Sequence, residues 1–567
     1  MRAIAPPVNG VTLKAYAGTT GVLLAMDVIA STRTGLLGFA IERETLSGPK
    51  TGAKKWLDGM LNFPGLPHMP GQPVPTNIAP IQKFRWSDYT VYPATAYAYT
   101  VHPVYGPPGA PDVRQGPRVQ VSTTAEDATH FVLFNRAAAA SQAFSREFPG
   151  DAIDIYQANR KGKKALRDLV LSPGAYRWLS RGLLEHIQGF LALATDSSWA
   201  LDIAVYEYEL QAIRDAVGAA AQRGAKIRLL YHARKGDPQT TRNKASLKDP
   251  PLPAASVTTV DRVTRHLMHD KFIVLSRLQG DTRDAQSVLC GSVNFTENGV
   301  YRQANVLHIV RDAALARTYL AQFEELVKTA HDPSQTRAYV TANNPISSTQ
   351  PIFGGFSPRV GQTDLNEFIA IVQAAQRDVL FCTAFDLFPG LLSTLLGKAH
   401  DHILRFGIQN QRSTITGYHR DRTANFSATA LLDGGLEGWI KESFARQKGV
   451  IHVHTKILIK DFTSETPTVV SGSHNLSKVA SDGNDENFLV VRSAPGDTDI
   501  PDAYGVELMR IYDHYRFRWV SQEQKRGKKS KAKKEEPLAL ALDDSWTRAY
   551  FGGDALKTAD RVRFVRV

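Results

Sequence analysis

Residues 451–490, IHVHTKILIKDFTSETPTVVSGSHNLSKVASDGNDENFLV, hold the densest set of reactive side chains in the chain. His454, Lys456 and Asp461 stand at the spacing HxKxxxxD, and a GSxN turn follows at residues 472–475. Because side chains alternate along a strand, His454 and Lys456 face the same way. An imidazole beside a fixed ammonium suits a phosphate group, which the ammonium can hold while the imidazole reacts.

A second copy of this pattern lies earlier in the chain. Residues 266–276 read HLMHDKFIVLS, and residues 288–310 read VLCGSVNFTENGVYRQANVLHIV. The separation is 185 residues for the motif histidines, His269 and His454, and 181 for the motif asparagines, Asn294 and Asn475. Matching order and nearly matching separation indicate an internal duplication.

The surroundings of each copy predict an α/β fold. Strand, helix and strand alternate before each HxK step, which is typical of a mixed or parallel sheet covered by helices. We therefore expect two α/β half-domains, residues 123–330 and 363–520, that pack about a pseudo-two-fold axis with one site between them. A polar, Pro-rich linker is expected at residues 331–362, and helices throughout residues 123–195.

The two ends of the chain predict smaller units. Residues 1–122 contain short strands with turn signals, such as Thr95–Tyr105, and predict a small β-sandwich that resembles a fibronectin type III module. This domain carries no recognisable chemistry, so we expect an accessory role. Residues 521–567 are expected to form a basic linker, with KRGKKSKAKK at 525–534, and a strand-rich C-terminal closure.

Composition restricts the possible partners and the compartment. The 567 residues carry a net charge of +13, and such a surface attracts nucleic acid, anionic headgroups or other phosphate esters. The two cysteines make no disulfide framework, and we see no signal peptide and no apolar run of about 18 residues. The sequence therefore predicts a cytoplasmic location.

HxKxxxxD followed by GSxN, present twice, resembles the phospholipase D superfamily. Within it, GSHNLSKVASDGNDEN is similar to the motif of the bacterial endonuclease Nuc. The resemblance implies phosphodiester hydrolysis without a metal or cofactor. One motif histidine attacks phosphorus and forms a phosphohistidine, while the other protonates the leaving oxygen and then activates water.

The candidate site residues follow from the two copies. The expected catalytic residues are His454, His269, Lys456, Lys271, Asn475, Asn294, Glu486 and Asp461. The expected phosphate-binding residues are Ser473, Ser292, Lys456 and Lys271.

The first copy departs from the pattern. Ser276 stands where Asp461 stands in the second copy, and Ala304, or Gln303 with a one-residue slip, stands where Glu486 does. The resemblance implies that Glu486 accepts a hydrogen bond from His454.

That pairing favours His454 as nucleophile and His269 as general acid, although the reverse assignment stays open. We expect the neighbouring His266 and Asp270 to lie at the rim or surface.

Three substrate hypotheses remain open. A phospholipid-like ester is favoured because two repeats in one chain resemble phospholipases, and it allows peripheral contact with an anionic membrane. The alternatives are a Nuc-like endonuclease acting on DNA or RNA, and a weakly catalytic protein that binds polyanions. A monomer is expected because both repeats lie in one chain.

Overall fold

The computed structural model describes residues 1–67, 72–137, 141–397, 401–410, 417–419, 424–428, 452–526 and 539–566. The protein is a mixed α/β protein that contains several separate sheets, as the sequence predicts for its class.

The N-terminal region consists of two sheets that share a core. One has the order β1-β2-β3-β8, the other has β10-β9-β4-β5 with β11 paired to β9, and β6 pairs with β7. Leu13 and Leu24 from the first sheet and Phe39 and Tyr99 from the second belong to one buried cluster. The strands, with one short helix α1 at Ala30–Arg33, are β1 Arg2–Val8, β2 Val11–Ala17, β3 Val22–Val28, β4 Gly38–Thr45, β5 Lys54–Trp56, β6 Asp58–Gly59, β7 Val74–Pro75, β8 Arg85–Asp88, β9 Ala96–Tyr105, β10 Asp112–Val113 and β11 Arg118–Ser122.

A seven-stranded sheet follows, in the order β12-β18-β17-β16-β13-β14-β15, and β13, β14 and β15 run parallel. Its strands are β12 His130–Phe134, β13 Trp199–Val205, β14 Lys226–His232, β15 Val257–Arg262, β16 Lys271–Gln279, β17 Thr282–Gly291 and β18 Val306–Val310. Its helices are α2 Gln142–Glu147, α3 Pro149–Lys161, α4 Lys163–Arg167, α5 Pro173–Ser180, α6 Leu183–Ala192, α7 Gln211–Gln222, α8 Pro238–Ser246 and α9 Ala313–Lys328, with a π-helical turn at Asn298–Arg302.

The prediction of helices throughout residues 123–195 is wrong at β12. The run HFVLF forms the edge strand of this sheet and pairs with β18. A short apolar run fits a buried strand as well as a helix, so its periodicity alone does not separate the two.

An eight-stranded sheet has the order β19-β26-β25-β24-β20-β21-β23-β22. Its strands are β19 Ile352–Ser357, β20 Asp378–Thr383, β21 Leu404–Gln409, β22 Gly417–His419, β23 Ala424–Ala428, β24 Ile457–Lys460, β25 Thr468–Gly472 and β26 Glu486–Arg492. Its helices are α10 Pro333–Asn343, α11 Thr363–Gln373, α12 Pro389–Leu396 and α13 Lys478–Asp482.

The predicted linker at residues 331–362 is largely structured. It contains α10, and β19 pairs with β26 along its whole length. A Cβ at Gly355 would lie 2.2 Å from the Phe488 ring, so this strand needs glycine where a strand pattern would show a larger side chain.

The C-terminal region is helical and not strand-rich as predicted. After the long helix α14 Asp499–Arg526, a 3₁₀ helix spans Asp544–Tyr550 and α15 spans Ala555–Val565. Trp546 packs against Phe84 of the N-terminal sheets. Most of the basic run, residues 527–534, lies outside the described residues. None of the described helices is long and apolar enough to cross a membrane.

Candidate active site

The two motif histidines meet at the boundary between the seven- and eight-stranded sheets. The His269 N–H donates to the Asp485 carbonyl at 2.8 Å, and the His454 N–H donates to the Ala304 carbonyl at 2.9 Å. Each histidine is therefore held by backbone next to the other sheet's GSxN turn. The two rings are 6.2 Å apart between centroids, and both residues are about 95% buried, with exposed fractions of 4% and 5%.

Glu486 orients His269 and not His454. Its Oε2 lies 2.7 Å from His269 Nδ1. The other oxygen, Oε1, accepts from Asn484 Nδ2 at 3.0 Å. The expected pairing of Glu486 with His454 is wrong because the strand that carries Glu486 faces the opposite sheet's histidine.

Asn305 performs the matching role for His454. Its Oδ1 lies 3.0 Å from His454 Nδ1, and the Ser292 carbonyl lies 3.1 Å from the same nitrogen. The alignment of Ala304 or Gln303 with Glu486 is therefore wrong by one or two residues. The sequence contained a signal for the correct alignment. The motif asparagines are 181 residues apart, and the residue 181 positions before Glu486 is Asn305.

The motif serines support the orienting residues, while their expected binding of phosphate stays a prediction. Ser473 Oγ donates to Glu486 Oε2 at 2.7 Å, and Ser292 Oγ donates to Asn305 Oδ1 at 2.8 Å. Both serines are fully buried. Since each hydroxyl proton is held by an orienting side chain, the hydroxyls fix the orienters and so the histidine rings.

The glycines of the two GSxN turns are needed for a close backbone approach. A Cβ at Gly472 would lie 2.3 Å from the Asn487 carbonyl oxygen, and one at Gly291 would lie 2.2 Å from that of Val306. Any other residue would push the serine away from its partner.

Lysines and asparagines supply the groups that can reach a phosphate. Lys271 Nζ donates to the His269 carbonyl at 2.5 Å, and Lys456 Nζ donates to the His454 carbonyl at 2.6 Å. Each ammonium therefore lies beside its own histidine. The Oδ1 atoms of Asn294 and Asn475 are buried without a hydrogen-bond partner among the described residues.

Asp461 is a structural residue, contrary to the expectation that it is catalytic. Its Oδ1 accepts from the backbone N–H groups of Gln376 at 2.9 Å and Arg377 at 2.7 Å. It follows the last residue of β24, so at roughly 3.3 Å per residue it lies about 20 Å from His454. The carboxylate holds the turn that leads into β20.

Comparison with known proteins supports the family resemblance for part of the chain. The model described as "Cardiolipin synthase, PLD-like domain" matches residues 191–327, a range that includes His269, Lys271 and Asn294. The resemblance to the phospholipase D superfamily drawn from the motifs is confirmed for this range.

The chain also shows a distant similarity to solved structures, and the three described here all have TM-scores below 0.5. The chain is 12% identical to phosphatidylserine synthase from Haemophilus influenzae Rd KW20, covering 68% of this chain and 94% of that chain, with a TM-score of 0.42. It is 18% identical to Nuc from Salmonella typhimurium, covering 27% of this chain and 88% of that chain, with a TM-score of 0.20. It is 13% identical to polyphosphate kinase from Porphyromonas gingivalis, covering 56% of this chain, with a TM-score of 0.36. The match covers 46% of that kinase, which is less than half of its length. No curated protein matches the chain.

Burial controls the charges of the phospholipase D-like site. It lowers the pKa of His269 to about 4 against the opposing effect of Glu486, and it lowers the pKa of Lys271 to about 8. Burial and the charge of Lys271 also hold the pKa of Lys456 well below its ordinary value. An anionic ligand would favour the protonated lysines, so the site is suited to bind phosphate.

Glu486 remains an anion in this setting. Burial raises the pKa of Glu486. The charge of His269 and its hydrogen bond to Glu486 have the opposite and larger effect, so the pKa lies below its ordinary value. Within the described ranges, no group of three or more His, Cys, Asp or Glu side chains is placed to hold a metal ion.

A buried polar network behind the site escaped the sequence-based prediction. Asp270, expected at the rim, is fully buried and accepts from Asn487 Nδ2 at 2.9 Å, whereas His266 is exposed as expected. Asp485 forms a two-pronged ion pair with the fully buried Arg262 at 2.8 and 2.9 Å. No spacing rule in the sequence points to either contact.

Proposed function

We propose that this protein hydrolyses phosphodiesters through a phosphohistidine formed on His269. One observation carries the proposal: the His269 and His454 rings lie edge to face with 6.2 Å between their centroids, and a hydrogen-bond acceptor is fixed at the Nδ1 of each. A phosphorus atom between two such rings would be open to attack from one side and to proton donation on the other.

His269 is the better nucleophile because Glu486 stands behind it. The carboxylate accepts a hydrogen bond from Nδ1–H, leaves Nε2 free to attack and compensates the positive charge of the phosphorylated ring. The sequence favoured His454 as nucleophile because Glu486 was expected beside it. Glu486 contacts His269, so the same reasoning now favours His269 as nucleophile.

His454 is suited to act as the general acid. Its Nδ1 faces two acceptor oxygens, from Asn305 and Ser292, and Lys456 Nζ lies 3.2 Å from the same nitrogen. With Nδ1–H donating to the oxygens, Nε2 is left for chemistry. Neither oxygen carries a full charge, so the protonated ring of His454 is stabilised less than the protonated ring of His269, which lies beside Glu486. Protonated His454 is therefore the stronger acid of the two.

The reaction then proceeds in two balanced steps. First, His269 Nε2 forms a bond to phosphorus, the ester P–O bond breaks and the leaving oxygen takes the proton of His454. Second, His454 removes a proton from water, the water oxygen bonds to phosphorus and the P–N bond breaks, which returns its electron pair to His269. Lys271, Lys456, Asn294 and Asn475 would hold the phosphate oxygens.

A small or phospholipid-like diester is the favoured substrate. Glu207 lies close enough to Lys271 and Asn294 to interact with both. Its negative charge opposes a polyanionic strand beside the reacting phosphate. The net charge of +13 supports the second candidate, a nuclease, because it attracts nucleic acid.

Two assays in EDTA separate the substrates. Plasmid DNA and mixed phosphatidylcholine–phosphatidylglycerol vesicles are each incubated with the protein. We expect lipid turnover, and DNA nicking alone would overturn the lipid hypothesis. Loss of activity on chelation would overturn the metal-free mechanism. Equal ligand binding by wild type and His454→Ala, with turnover by neither, would favour a polyanion-binding protein.

The site of phosphorylation tests the division of roles. We expect a generic diester, quenched in acid-free buffer, to label His269, with more label in His454→Ala because the second step is slowed. Peptide mapping by mass spectrometry reads the position. Label on His454 would overturn the assignment.

We also propose that the two α/β units are halves related by an approximate two-fold axis. The shared order of five strands, β18-β17-β16-β13-β14 and β26-β25-β24-β20-β21, supports it. The core shared by the two N-terminal sheets supports a β-sandwich. Its likeness to a fibronectin type III module stays a prediction. The domain limits, the monomeric state, the membrane contact and the cytoplasmic location also stay predictions.

A further inference from the structure

The two walls of the site carry different side chains at matching positions. Ala204 in β13 pairs with Phe272, and Cys382 in β20 pairs with Ile457, and each partner lies three residues after its motif histidine. Three residues beyond these paired positions, the first wall presents Glu207 and the second presents Phe385.

Phe385 makes the second wall apolar. It is 43% exposed, and its ring stands edge-on to His454 with 6.5 Å between centroids. An exposed aromatic ring beside a catalytic histidine offers a surface to an apolar ester arm.

Glu207 makes the first wall acidic. Its carbonyl accepts from the Phe295 N–H at 3.2 Å, which fixes it beside the Asn294 turn, and it is partly exposed. Burial and the charge of Glu209 raise its pKa to about 7, against the opposing effects of Lys271, Arg242 and a hydrogen bond with Asn294. The carboxylate is therefore ionised above about pH 7.

We propose that Glu207 determines substrate specificity by accepting a hydrogen bond from an amino or hydroxyl group on one ester arm of the diester. This inference rests on the proposed function. A partly exposed carboxylate whose backbone is fixed beside the Asn294 turn is well placed to bind a donor close to the reacting phosphorus. The apolar wall around Phe385 offers no such acceptor from its side chain.

A role limited to neutralising Lys271 is less consistent with the surroundings. Glu486 already acts on Lys271 through its charge, and both Glu486 and the neighbouring Asp270 belong to the buried network. Glu207 alone of these three carboxylates is partly exposed.

The test compares four p-nitrophenyl diesters whose second arm is ethyl, 2-hydroxyethyl, 2-aminoethyl or choline. Choline has a cation without an N–H donor, so it separates charge from hydrogen bonding. Wild type should prefer the aminoethyl and hydroxyethyl diesters, and the aminoethyl preference should rise as pH passes 7. Glu207→Gln should lose about tenfold or more in kcat/KM on the aminoethyl diester, while keeping activity on the ethyl diester.

Glu209→Gln is the matched control. Glu209 already accepts from Gln239 at 2.9 Å and from Arg242 at 3.0 Å, so this variant should keep the wild-type preference at pH 8. An equal loss by Glu207→Gln on all four diesters would show a structural role and overturn the inference while leaving the proposed function intact. If wild type cleaves none of the four, the proposed function and the inference both fail.

Discussion

Glu486 and Asn305 distinguish two histidines that otherwise sit in similar surroundings. Each accepts a hydrogen bond from a motif serine and faces one imidazole, but only Glu486 carries a charge. Under the proposed mechanism, this single difference, carboxylate against amide, divides the labour between His269 and His454. The division depends on which orienter meets which ring.

Replacing the carboxylate should slow the formation of the phosphohistidine. In Glu486→Gln the positive charge on phosphorylated His269 is no longer compensated, so we expect kcat to fall about a hundredfold or more. Asn305→Asp is the matched variant and should reduce kcat less, because His454 keeps its acceptor. Stopped-flow release of p-nitrophenol measures both. A kcat for Glu486→Gln within twofold of wild type would contradict the division of roles.

Asp461 should contribute to stability and not to chemistry. Asp461→Ala leaves two backbone N–H groups without their acceptor, and we expect a loss of about 2–4 kcal/mol in the free energy of unfolding. Asp461→Asn keeps one oxygen in place and should lose less. Urea unfolding and kcat/KM of the folded fraction check this. A large loss of kcat/KM at unchanged stability would restore a catalytic role.

Asp270 should make stability depend on pH. Burial, with Asp485 and Glu486 nearby, raises its pKa to about 8, against Asn487 and Lys271. The folded protein therefore keeps a proton that the unfolded chain releases near pH 4, and the contribution of Asp270 falls as pH rises from about 4 to about 8.

Asp270→Asn removes this titration. The variant should gain stability relative to wild type as pH rises through that window and level off above it. Thermal midpoints at pH 5, 7 and 9 give the difference. A difference that is constant across the three pH values would contradict an Asp270 that is protonated in the fold.

At the scale of elements, the two sheets are joined through β15 and β26. Arg262 ends β15, and Asp485 immediately precedes β26. Their ion pair is fully buried, and Arg262 also donates to Thr336 Oγ1 at 2.9 Å. The same residue, Asp485, offers its carbonyl to His269, so this contact couples the packing of the units to the site.

Breaking that pair from one side should be costly. Asp485→Ala leaves a buried guanidinium without its partner, and we expect about 3–5 kcal/mol of destabilisation. The double variant Arg262→Leu/Asp485→Leu removes both charges and should be less destabilised than Asp485→Ala. Chemical unfolding followed by fluorescence measures the order. A double variant that is the less stable of the two would contradict it.

At the scale of the whole molecule, the C-terminal tail closes the N-terminal sheets onto the second α/β unit. Arg85 in β8 bonds to Asp513 of α14 at 2.9 Å and to Asp560 of α15 at 3.1 Å. Tyr16 in β2 donates to the Phe564 carbonyl at 2.6 Å. The tail thus belongs to the core of the molecule and is not a separate appendage.

Ending the chain at residue 538 should expose that core. We expect more binding of a hydrophobic dye, faster proteolysis and a lower thermal midpoint, because the aromatic cluster around Phe564 loses its cover. A full-length chain cut at a protease site inserted between 527 and 538 is the control and should keep its tail bound. An unchanged midpoint in the truncated chain would contradict a closing role.

The sequence by itself showed the repeated motif and its resemblance to the phospholipase D superfamily, and it pointed to both histidines and both lysines. These follow from local spacing, because a strand places residues i and i+2 on one face. The glycine of each GSxN turn is needed because a neighbouring backbone carbonyl leaves no room for a Cβ. The α/β character of both units follows in the same way from alternating strand and helix patterns.

Only the tertiary structure decided how those parts serve each other. Glu486 lies 32 residues after His454 and 217 after His269, yet it bonds to the more distant histidine. Asp461 and the motif serines match the pattern in the sequence, but Asp461 accepts from the turn before β20, and the serines donate to Glu486 and Asn305. Spacing fixes which face of its own strand a side chain takes, whereas the packing of one sheet's edge against the other decides which partner that face meets.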